Sequence, residues 1–125
     1  MTRLLVDTHA VLWWLADDPT LSDTARAAIG DPGNEPLVSA ASLWEIAIKR
    51  ALGKLSAPDD LPDVIANEGF GELPVVARHA WAVRGLPLHH RDPFDRLLVA
   101  QARVEGLPVV TGDPGFAAYG VGIRW

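Results

Sequence analysis

The sequence predicts an α/β protein in which a mostly parallel central sheet lies between layers of helices, as a three-layer sandwich. Short apolar runs of strand length alternate along the chain with stretches of helical periodicity, and this alternation is typical of a parallel sheet. The 125 residues, 49% of them hydrophobic, are enough for one core and too few for two. We therefore expect a single domain over residues 1–125.

Turn and capping residues divide the first half of the chain into its elements. The turn Ala16–Pro19 ends the first helix, Ser22 is the N-cap of the second, and Gly30 follows its end. Ser39 or Ser42 caps the third helix. The predicted elements are, in order, a strand at Arg3–Val6, helices at His9–Leu15 and Leu21–Ile29, a strand at Leu37–Ser39 and a helix ending at Leu52.

The second half of the chain contains one strongly predicted helix and three strands. Asp92 caps that helix, Pro93 takes its first position, and Glu105-Gly106 ends it. The other predicted elements are helices at Asp59–Glu68 and Val76–Val83 and strands at Leu73–Val75, Pro108–Val110 and Val121–Trp125. Helices thus separate the strands along the chain, which favours parallel pairing.

Composition excludes several classes of protein. The chain has no cysteine, which excludes a disulfide framework, a cysteine-based zinc site and thiol catalysis. Lys and Arg number 11 against 16 Asp and Glu, a formal net charge of −5, whereas a broad face for nucleic acid would be basic. The apolar runs are too short to cross a bilayer and no signal peptide precedes the first strand. We expect a soluble, cytoplasmic protein without a membrane partner.

Four acidic residues occupy related places in the predicted sheet. Asp7 ends the first strand, Asp113 follows the strand Pro108–Val110, and Glu45 and Asp95 lie in the first turns of their helices. All four can converge at the carboxyl edge of the strands, where open α/β sheets bind ligands. Crowded carboxylates repel one another unless a cation intervenes, and Mg²⁺ or Mn²⁺ prefers oxygen ligands. The pattern favours metal-dependent hydrolysis of phosphodiester bonds.

Each of these acids also has a structural interpretation. Glu45 completes a capping-box pattern and stands four residues before Lys49, with which it could form an ion pair. Asp113 lies in a Gly-Asp-Pro-Gly turn signature. Asp92 is the N-cap of its helix, and Asp95 could act on the helix dipole only. Their joint placement at one edge supports the functional interpretation.

Four blocks of sequence carry a resemblance to a known family. In chain order they are Val6–His9, Ser39–Lys49, Leu86–Ala102 and Val110–Asp113. The chain resembles PIN-domain proteins of the VapC type, the ribonuclease toxins of type II toxin–antitoxin pairs, over essentially its whole length. The third block is long and specific, whereas the first and the last would be weak alone. The resemblance implies a PIN-like fold formed by one PIN domain.

The resemblance also implies an endoribonuclease that depends on Mg²⁺ or Mn²⁺. The four acids of the family correspond to Asp7, Glu45, Asp95 and Asp113, and Asp7 and Asp95 are expected to bind the ion. Asp92 is then an N-cap or a residue behind the metal ligands. The fourth position varies most in the family, which makes Asp113 the least certain ligand.

Further polar residues lie near the predicted site. The hydroxyl of Thr8 or Ser39 could orient water beside the metal, and Arg96 could hold a phosphate of the RNA. His89 and His90 stand in the turn before the acidic helix, where one of them could protonate a leaving group. A structural or solvent-facing role is the more common one for such histidines.

The expected partners are an antitoxin and a second copy of the chain. The resemblance implies a VapB-like antitoxin whose C-terminal segment is basic, because arginine can bind clustered carboxylates and displace the metal. Among the five tryptophans, we expect Trp44 and Trp81 in the core. Trp13 and Trp14 are neighbours on one helix and cannot both face inward, which leaves one for an interface with the antitoxin or in a homodimer.

Two other functions are considered. A PIN fold with a weak or inactive site could serve as a binding module, but all four acidic positions are intact. A phosphatase of the haloacid-dehalogenase kind also begins with an aspartate after a first strand. That class requires a second aspartate two positions later, where this chain has His9.

Overall fold

The strands form one five-stranded sheet in the computed structural model, which describes residues 2–125. They are β1 (Thr2–Val6), β2 (Asn34–Ser39), β3 (Gly71–Leu73), β4 (Val109–Val110) and β5 (Ile123–Arg124). Their order is β3-β2-β1-β4-β5, and each neighbouring pair is parallel. The predicted α/β class with a parallel sheet is confirmed.

Helices connect the strands and begin where the sequence places capping residues. Ser22 accepts a hydrogen bond from the Ala25 N–H at 3.0 Å, and Asp92 caps the last long helix. The helices are α1 (Thr8–Leu15), α2 (Asp23–Gly30), α3 (Ala40–Ala51), α4 (Leu61–Asn67), α5 (Ala77–Ala82) and α6 (Pro93–Glu105), with 3₁₀ turns at Val83–Gly85 and Pro114–Tyr119. Within residues 2–125, none of the helices is both long and apolar enough to span a bilayer.

Alternation along β1 produces a separate hydrophobic core on each face of the sheet. Leu4 and Val6 belong to a cluster with buried residues of α1, α2 and α4. Leu5 points to the opposite face and belongs to a second cluster, with Leu98 of α6 and Phe116 of the last 3₁₀ turn. The sheet is therefore the middle layer of three.

The register of the sheet brings three strand ends to the same level. Val6 in β1 stands opposite Val38 in β2 and opposite Val110 in β4. The residues that follow these positions, Asp7 and Thr111 among them, consequently lie at one edge of the sheet. This is the carboxyl edge at which the sequence places the candidate site.

Several predicted strand boundaries shift by one to three residues, and proline is involved in β2 and β3. The second strand begins at Asn34 instead of Leu37, because Pro36 fits within it opposite Leu4. The third strand ends at Leu73 and does not reach Val75, since Pro74 has no N–H with which to continue the ladder.

Trp13 and Trp14 do not divide into one inward-facing and one exposed residue, as the sequence analysis expected, and a role for either at an interface stays a prediction. Both side chains are partly buried against the first core cluster. The ring of Trp13 lies 5.8 Å from that of Trp125, and the ring of Trp14 lies edge-on to Phe70 at 6.3 Å. The reason is that the C-terminus and the segment after α4 cover both flanks of α1, a tertiary arrangement that helix periodicity does not reveal.

The prediction that Trp44 and Trp81 lie in the core is also wrong. They are 59% and 68% exposed, respectively. Trp44 leans edge-on against Phe94 at the start of α6, with ring centroids 5.1 Å apart. The guanidinium of Arg84 covers one face of Trp81 at 4.8 Å. A single neighbour on each ring leaves most of its surface in solvent.

We expect Gly112→Ala to destabilise the fold. A Cβ atom at this position would lie 2.7 Å from Cε2 of Trp125, so the indole would have to move. Overpacking of this kind costs about 1–3 kcal/mol, or roughly 4 °C in Tm per kcal/mol, as measured by thermal unfolding. Gly85→Ala is the matched control, because a Cβ there meets nothing within 4 Å. An unchanged Tm for Gly112→Ala would contradict tight packing of Trp125.

Candidate active site

Asp7 is a buried carboxylate at the end of β1. It is 5% exposed, and its backbone N–H donates to the Val110 carbonyl at 3.1 Å, which fixes it to the end of β4. Oδ1 accepts the Ala10 N–H at 2.7 Å and so caps α1, while Oδ2 accepts the hydroxyl of Thr111. Burial raises the pKa of Asp7, although the Thr111 and Ala10 hydrogen bonds act in the opposite direction.

Glu45 reaches the same edge from the second turn of α3. The helix begins at Ala40 and its N-cap is Ser39, so the capping-box interpretation with Ser42 as the cap is wrong. Glu45 is 3% exposed. Its Oε2 accepts from Lys49 Nζ at 2.6 Å, as the spacing predicts, and this hydrogen bond raises the pKa of Lys49.

The second carboxylate oxygen of Glu45 is left without a partner. Among residues 2–125, Oε1 is buried and accepts no hydrogen bond. Since a buried polar atom normally has a partner, an orphaned acceptor at this point indicates a place for a cation or another donor.

Asp95 lies in the first turn of α6, behind the cap formed by Asp92. Asp92 Oδ1 accepts the N–H groups of Phe94 and Asp95 at 2.8 and 3.1 Å, which confirms the predicted N-cap. The pKa of Asp95 is raised to about 7, chiefly by burial and further by the negative charges of Asp92, Glu45 and Asp7, although His90 acts in the opposite direction. The carboxylates of three different elements therefore act on one another electrostatically.

Asp113 begins the last 3₁₀ turn and also faces the cluster. Its Oδ1 accepts the Gly115 N–H at 2.8 Å, as the turn signature predicts. Its Oδ2 lies 2.8 Å from Nε2 of His90. Burial alone would raise the pKa of Asp113, but the hydrogen bonds from His90 and Gly115 outweigh it and the pKa is lowered. Asp113 therefore has the structural role in the turn and also lies beside the other residues of the site.

His90 is the residue that the sequence analysis did not select. Its Nε2 lies 3.2 Å from Oδ2 of Asp95 as well as 2.8 Å from Asp113. One ligand atom from each of the three residues lies within 4.8 Å of the others. The hydrogen bond to Asp113 raises the pKa of His90, against the effect of burial. His89, in contrast, packs edge-on against Tyr119 at 5.1 Å.

Thr8 and Ser39, the predicted hydroxyl residues, bond to other side chains. The Thr8 hydroxyl donates to Ser42 at 2.9 Å. Ser39 accepts the Ala41 N–H at 3.0 Å as the cap of α3 and donates to Gln101 at 2.5 Å. Both are buried, and through these bonds they fix the starts of α1 and α3 beside the acids.

The guanidinium of Arg96 faces the loop before α6. It donates to the carbonyls of Pro87 at 3.0 Å, His90 at 3.3 Å and Leu86 at 3.3 Å. Its donors thus hold backbone carbonyls in this structure and organise the loop that carries His90.

Comparisons of the sequence and of the structure with known proteins identify similar proteins of one family. The PIN domain family matches residues 4–122. The chain is 36% identical over 121 residues to Ribonuclease VapC22 of Mycobacterium tuberculosis, covering 90% of this chain and 88% of that protein.

Two solved structures share the fold. The crystal structure of VapBC2 from Rickettsia felis bound to a promoter DNA fragment superposes with a TM-score of 0.68, at 13% identity over 98% of both chains. DNA-bound VapBC from Salmonella typhimurium superposes with a TM-score of 0.69, at 20% identity, covering 99% of this chain and 98% of that one. Together with the family match and the identity to VapC22, these likenesses show that the chain belongs to the PIN-domain family, in its VapC-type branch.

Proposed function

We propose that this protein is a Mg²⁺- or Mn²⁺-dependent endoribonuclease and the toxin of a type II toxin–antitoxin pair. The observation that carries the proposal is that Asp7, Glu45, Asp95 and Asp113 are near enough to act on one another electrostatically, with one buried carboxylate oxygen of Glu45 unpartnered among residues 2–125. In support, the similar protein from M. tuberculosis is named a ribonuclease. We also propose that residues 1–125 act as a single PIN domain in the cytoplasm, where the RNA is found.

The residues at this edge fit a divalent cation. Mg²⁺ and Mn²⁺ bind oxygen ligands and retain several waters, so a few carboxylates and open space suffice. Asp7 and Asp95 would hold the ion, with the free Oε1 of Glu45 and the Oδ2 of Asp113 as further oxygens on its periphery. A cation there would offset the mutual repulsion that raises the pKa of Asp95.

The proposed reaction is hydrolysis of an RNA phosphodiester bond. A bound divalent ion stabilises negative charge on a phosphate oxygen and makes water more acidic. The chain provides the orientation: Thr111 and the start of α1 fix the Asp7 carboxylate, and Lys49 fixes one oxygen of Glu45. Oε1 of Glu45, which has no partner among residues 2–125, would accept a proton from the attacking water. Membership of the PIN-domain family removes the phosphatase alternative.

We propose a VapB-like antitoxin with a basic C-terminal segment as the partner. The structural neighbours from R. felis and S. typhimurium are VapBC assemblies. In this chain an apolar groove crosses α4 between α1 and α3. It consists of adjoining cavities of about 380 and 270 Å³ that share Ala57, Pro58 and Leu61, and Trp44 lines one end of it. This groove would hold apolar anchors of the segment, while its arginines bind the acids.

A homodimer is proposed as well. Trp81 and Leu88 are 68% and 71% exposed, and large exposed apolar side chains of this kind are common at interfaces between subunits.

The first prediction concerns pH and metal. The pKa of Asp95 is about 7 in the folded protein and near 3.8 unfolded, so the free energy of unfolding of the metal-free protein should fall as pH rises from about 4 through 7. Asp95→Asn should weaken this fall. At pH 8, Mn²⁺ at 100 times its Kd should add about 2.7 kcal/mol, roughly 10 °C in Tm, to the wild type and much less to Asp95→Asn. Equal Mn²⁺ stabilisation of both proteins would contradict the assignment of Asp95.

The second prediction separates catalysis from stability at Asp7. Asp7→Asn keeps an oxygen that can accept the Ala10 N–H, so α1 stays capped, but it removes the charge. We expect loss of RNA cleavage in Mn²⁺ with a Tm within a few degrees of the wild type. Cleavage is measured on total RNA by mapping new 5′ ends. Glu72→Gln, an exposed acid on β3, is the control and should cut normally; wild-type cleavage by Asp7→Asn would overturn the site.

The third prediction treats Glu45 in the same assay. Glu45→Gln should lose most of its activity and little stability, because the amide keeps the shape of the carboxylate and Lys49 is partly exposed. A large loss of Tm with cleavage retained would instead assign Glu45 to the structure of α3.

The fourth prediction concerns the partner. Expression of the native operon with a tag on this chain should yield a small protein with a basic, amphipathic C-terminus, and its presence should suppress cleavage. Trp44→Ala should weaken the complex because Trp44 lines the groove, whereas Trp81→Ala, on the distant helix α5, should not. If the chain purifies alone and its overexpression leaves growth unaffected, the toxin assignment fails although the nuclease could stand.

A further inference from the structure

Hydrogen bonds restrain both the backbone N–H and the backbone carbonyl of His90, whose ring lies beside the acids. Its N–H donates to the Tyr119 hydroxyl at 2.8 Å, and its carbonyl accepts from Arg96 Nη1 at 3.3 Å. These bonds tie the loop residue to the last 3₁₀ turn and to α6. The backbone of His90 is therefore fixed, and with it the position from which the imidazole extends.

The hydrogen bonds of the imidazole also set which nitrogen carries the proton in the neutral ring. The Asp92 N–H donates to Nδ1 at 3.2 Å, so Nδ1 is an acceptor and Nε2 carries the hydrogen. Nε2–H then donates to Oδ2 of Asp113 at 2.8 Å, and Oδ2 of Asp95 lies 3.2 Å away. Because Nε2 carries the hydrogen, it can donate to a carboxylate. It has no lone pair in the ring plane with which to bind a metal.

A glycine gives the ring its space. A Cβ atom on Gly115 would lie 2.8 Å from Cδ2 of His90, and the ring packs edge-on against Phe116 at 6.1 Å. The Gly115 N–H meanwhile donates to Oδ1 of Asp113 at 2.8 Å. Both carboxylate oxygens of Asp113 therefore accept a hydrogen bond, Oδ1 from the turn and Oδ2 from His90.

We propose that His90 is a positioning residue that holds the Asp113 carboxylate toward Asp95, so that both can face the same cation. The proposal rests on the metal-dependent function proposed above. One carboxylate oxygen of Asp95 and one of Asp113 lie within 4.8 Å of each other, a separation close to the roughly 4.2 Å between opposite oxygen ligands of one Mg²⁺-sized ion. Without His90, only the Gly115 N–H would restrain Asp113, and its outer oxygen would turn freely into solvent.

The test measures metal affinity apart from activity. Mn²⁺ binding to the full chain is followed at pH 8 by the loss of the free Mn²⁺ EPR signal, and RNA cleavage gives kcat and KM. His90→Leu should lower Mn²⁺ affinity or kcat by 10- to 100-fold, as loss of a residue behind a metal ligand does, with KM for RNA little changed. His90→Gln keeps an N–H donor and should recover part of the loss. His89→Leu, which lies against Tyr119, is the matched control and should resemble the wild type.

Two further variants keep the proposal testable if His90→Leu folds poorly. Gly115→Ala retains the imidazole but shifts its ring, because a Cβ there would lie 2.8 Å from Cδ2 of His90, and should give an intermediate loss of Mn²⁺ affinity. Asp113→Asn combined with His90→Leu should be hardly worse than Asp113→Asn alone, because a residue that acts through Asp113 has nothing left to hold.

The possible results distinguish failure of the positioning role of His90 from failure of the proposed function. Additive losses in the double variant, or a raised KM for RNA with unchanged Mn²⁺ affinity, would assign His90 to substrate binding and overturn the positioning role. Wild-type behaviour of His90→Leu would overturn it too, while the proposed function stands. A wild-type chain that neither binds Mn²⁺ nor cuts RNA would overturn both.

Discussion

The register that sets Val6 opposite both Val38 and Val110 brings three strand ends to one level, and the acidic site depends on it. In a parallel sheet every connection returns from the far edge, so the helices that follow the strands begin at this edge. Asp7 follows one strand end directly, and α3 starts directly after β2. A shift of one residue in this register would reverse the faces of β1 and move its end away from the others.

Glu45 and Asp113 each give one carboxylate oxygen to a bond within the local fold, whereas both oxygens of Asp7 accept such bonds. Asp7 gives Oδ1 to the start of α1, and Asp113 gives Oδ1 to the start of a 3₁₀ turn. Glu45 gives Oε2 to Lys49. Of the other two oxygens, that of Asp113 is restrained by His90, and that of Glu45 is buried without a partner among residues 2–125. For Asp113 in particular, structural and functional interpretations are compatible because a carboxylate has two acceptors.

The sequence predicts the parts of this arrangement that are set locally. The ends of strands, the cap at Asp92 with Pro93 behind it and the order of the four acids are encoded by neighbouring residues, and the fold agrees with them. His90 could not be selected in this way, since its bond to Asp113 joins distant segments through a loop whose path is set by Arg96 and Tyr119.

Side-chain burial was the least predictable property for a related reason. Helical spacing tells which residues share a face, but not which faces other elements cover. Trp13 and Trp14 are covered because Trp125 and Phe70 come from remote parts of the chain. Trp44, in contrast, is 59% exposed although its ring lies edge-on to that of Phe94.

The groups of the site that lower the stability of the fold lie where the proposed cation would bind. A buried acceptor without a donor costs about 1–3 kcal/mol, and Glu45 retains one. Asp95 is partly buried, and this burial together with the nearby like charges raises its pKa to about 7. A fold selected for stability alone would replace these groups with apolar ones, as is often neutral or stabilising for buried charges. An ion that binds the folded chain and not the unfolded one recovers this cost as binding energy. In the proposed function, the instability of this edge and its affinity for a cation are therefore the same property, and the hydrogen-bonded oxygens at the helix starts fix the shape of the edge.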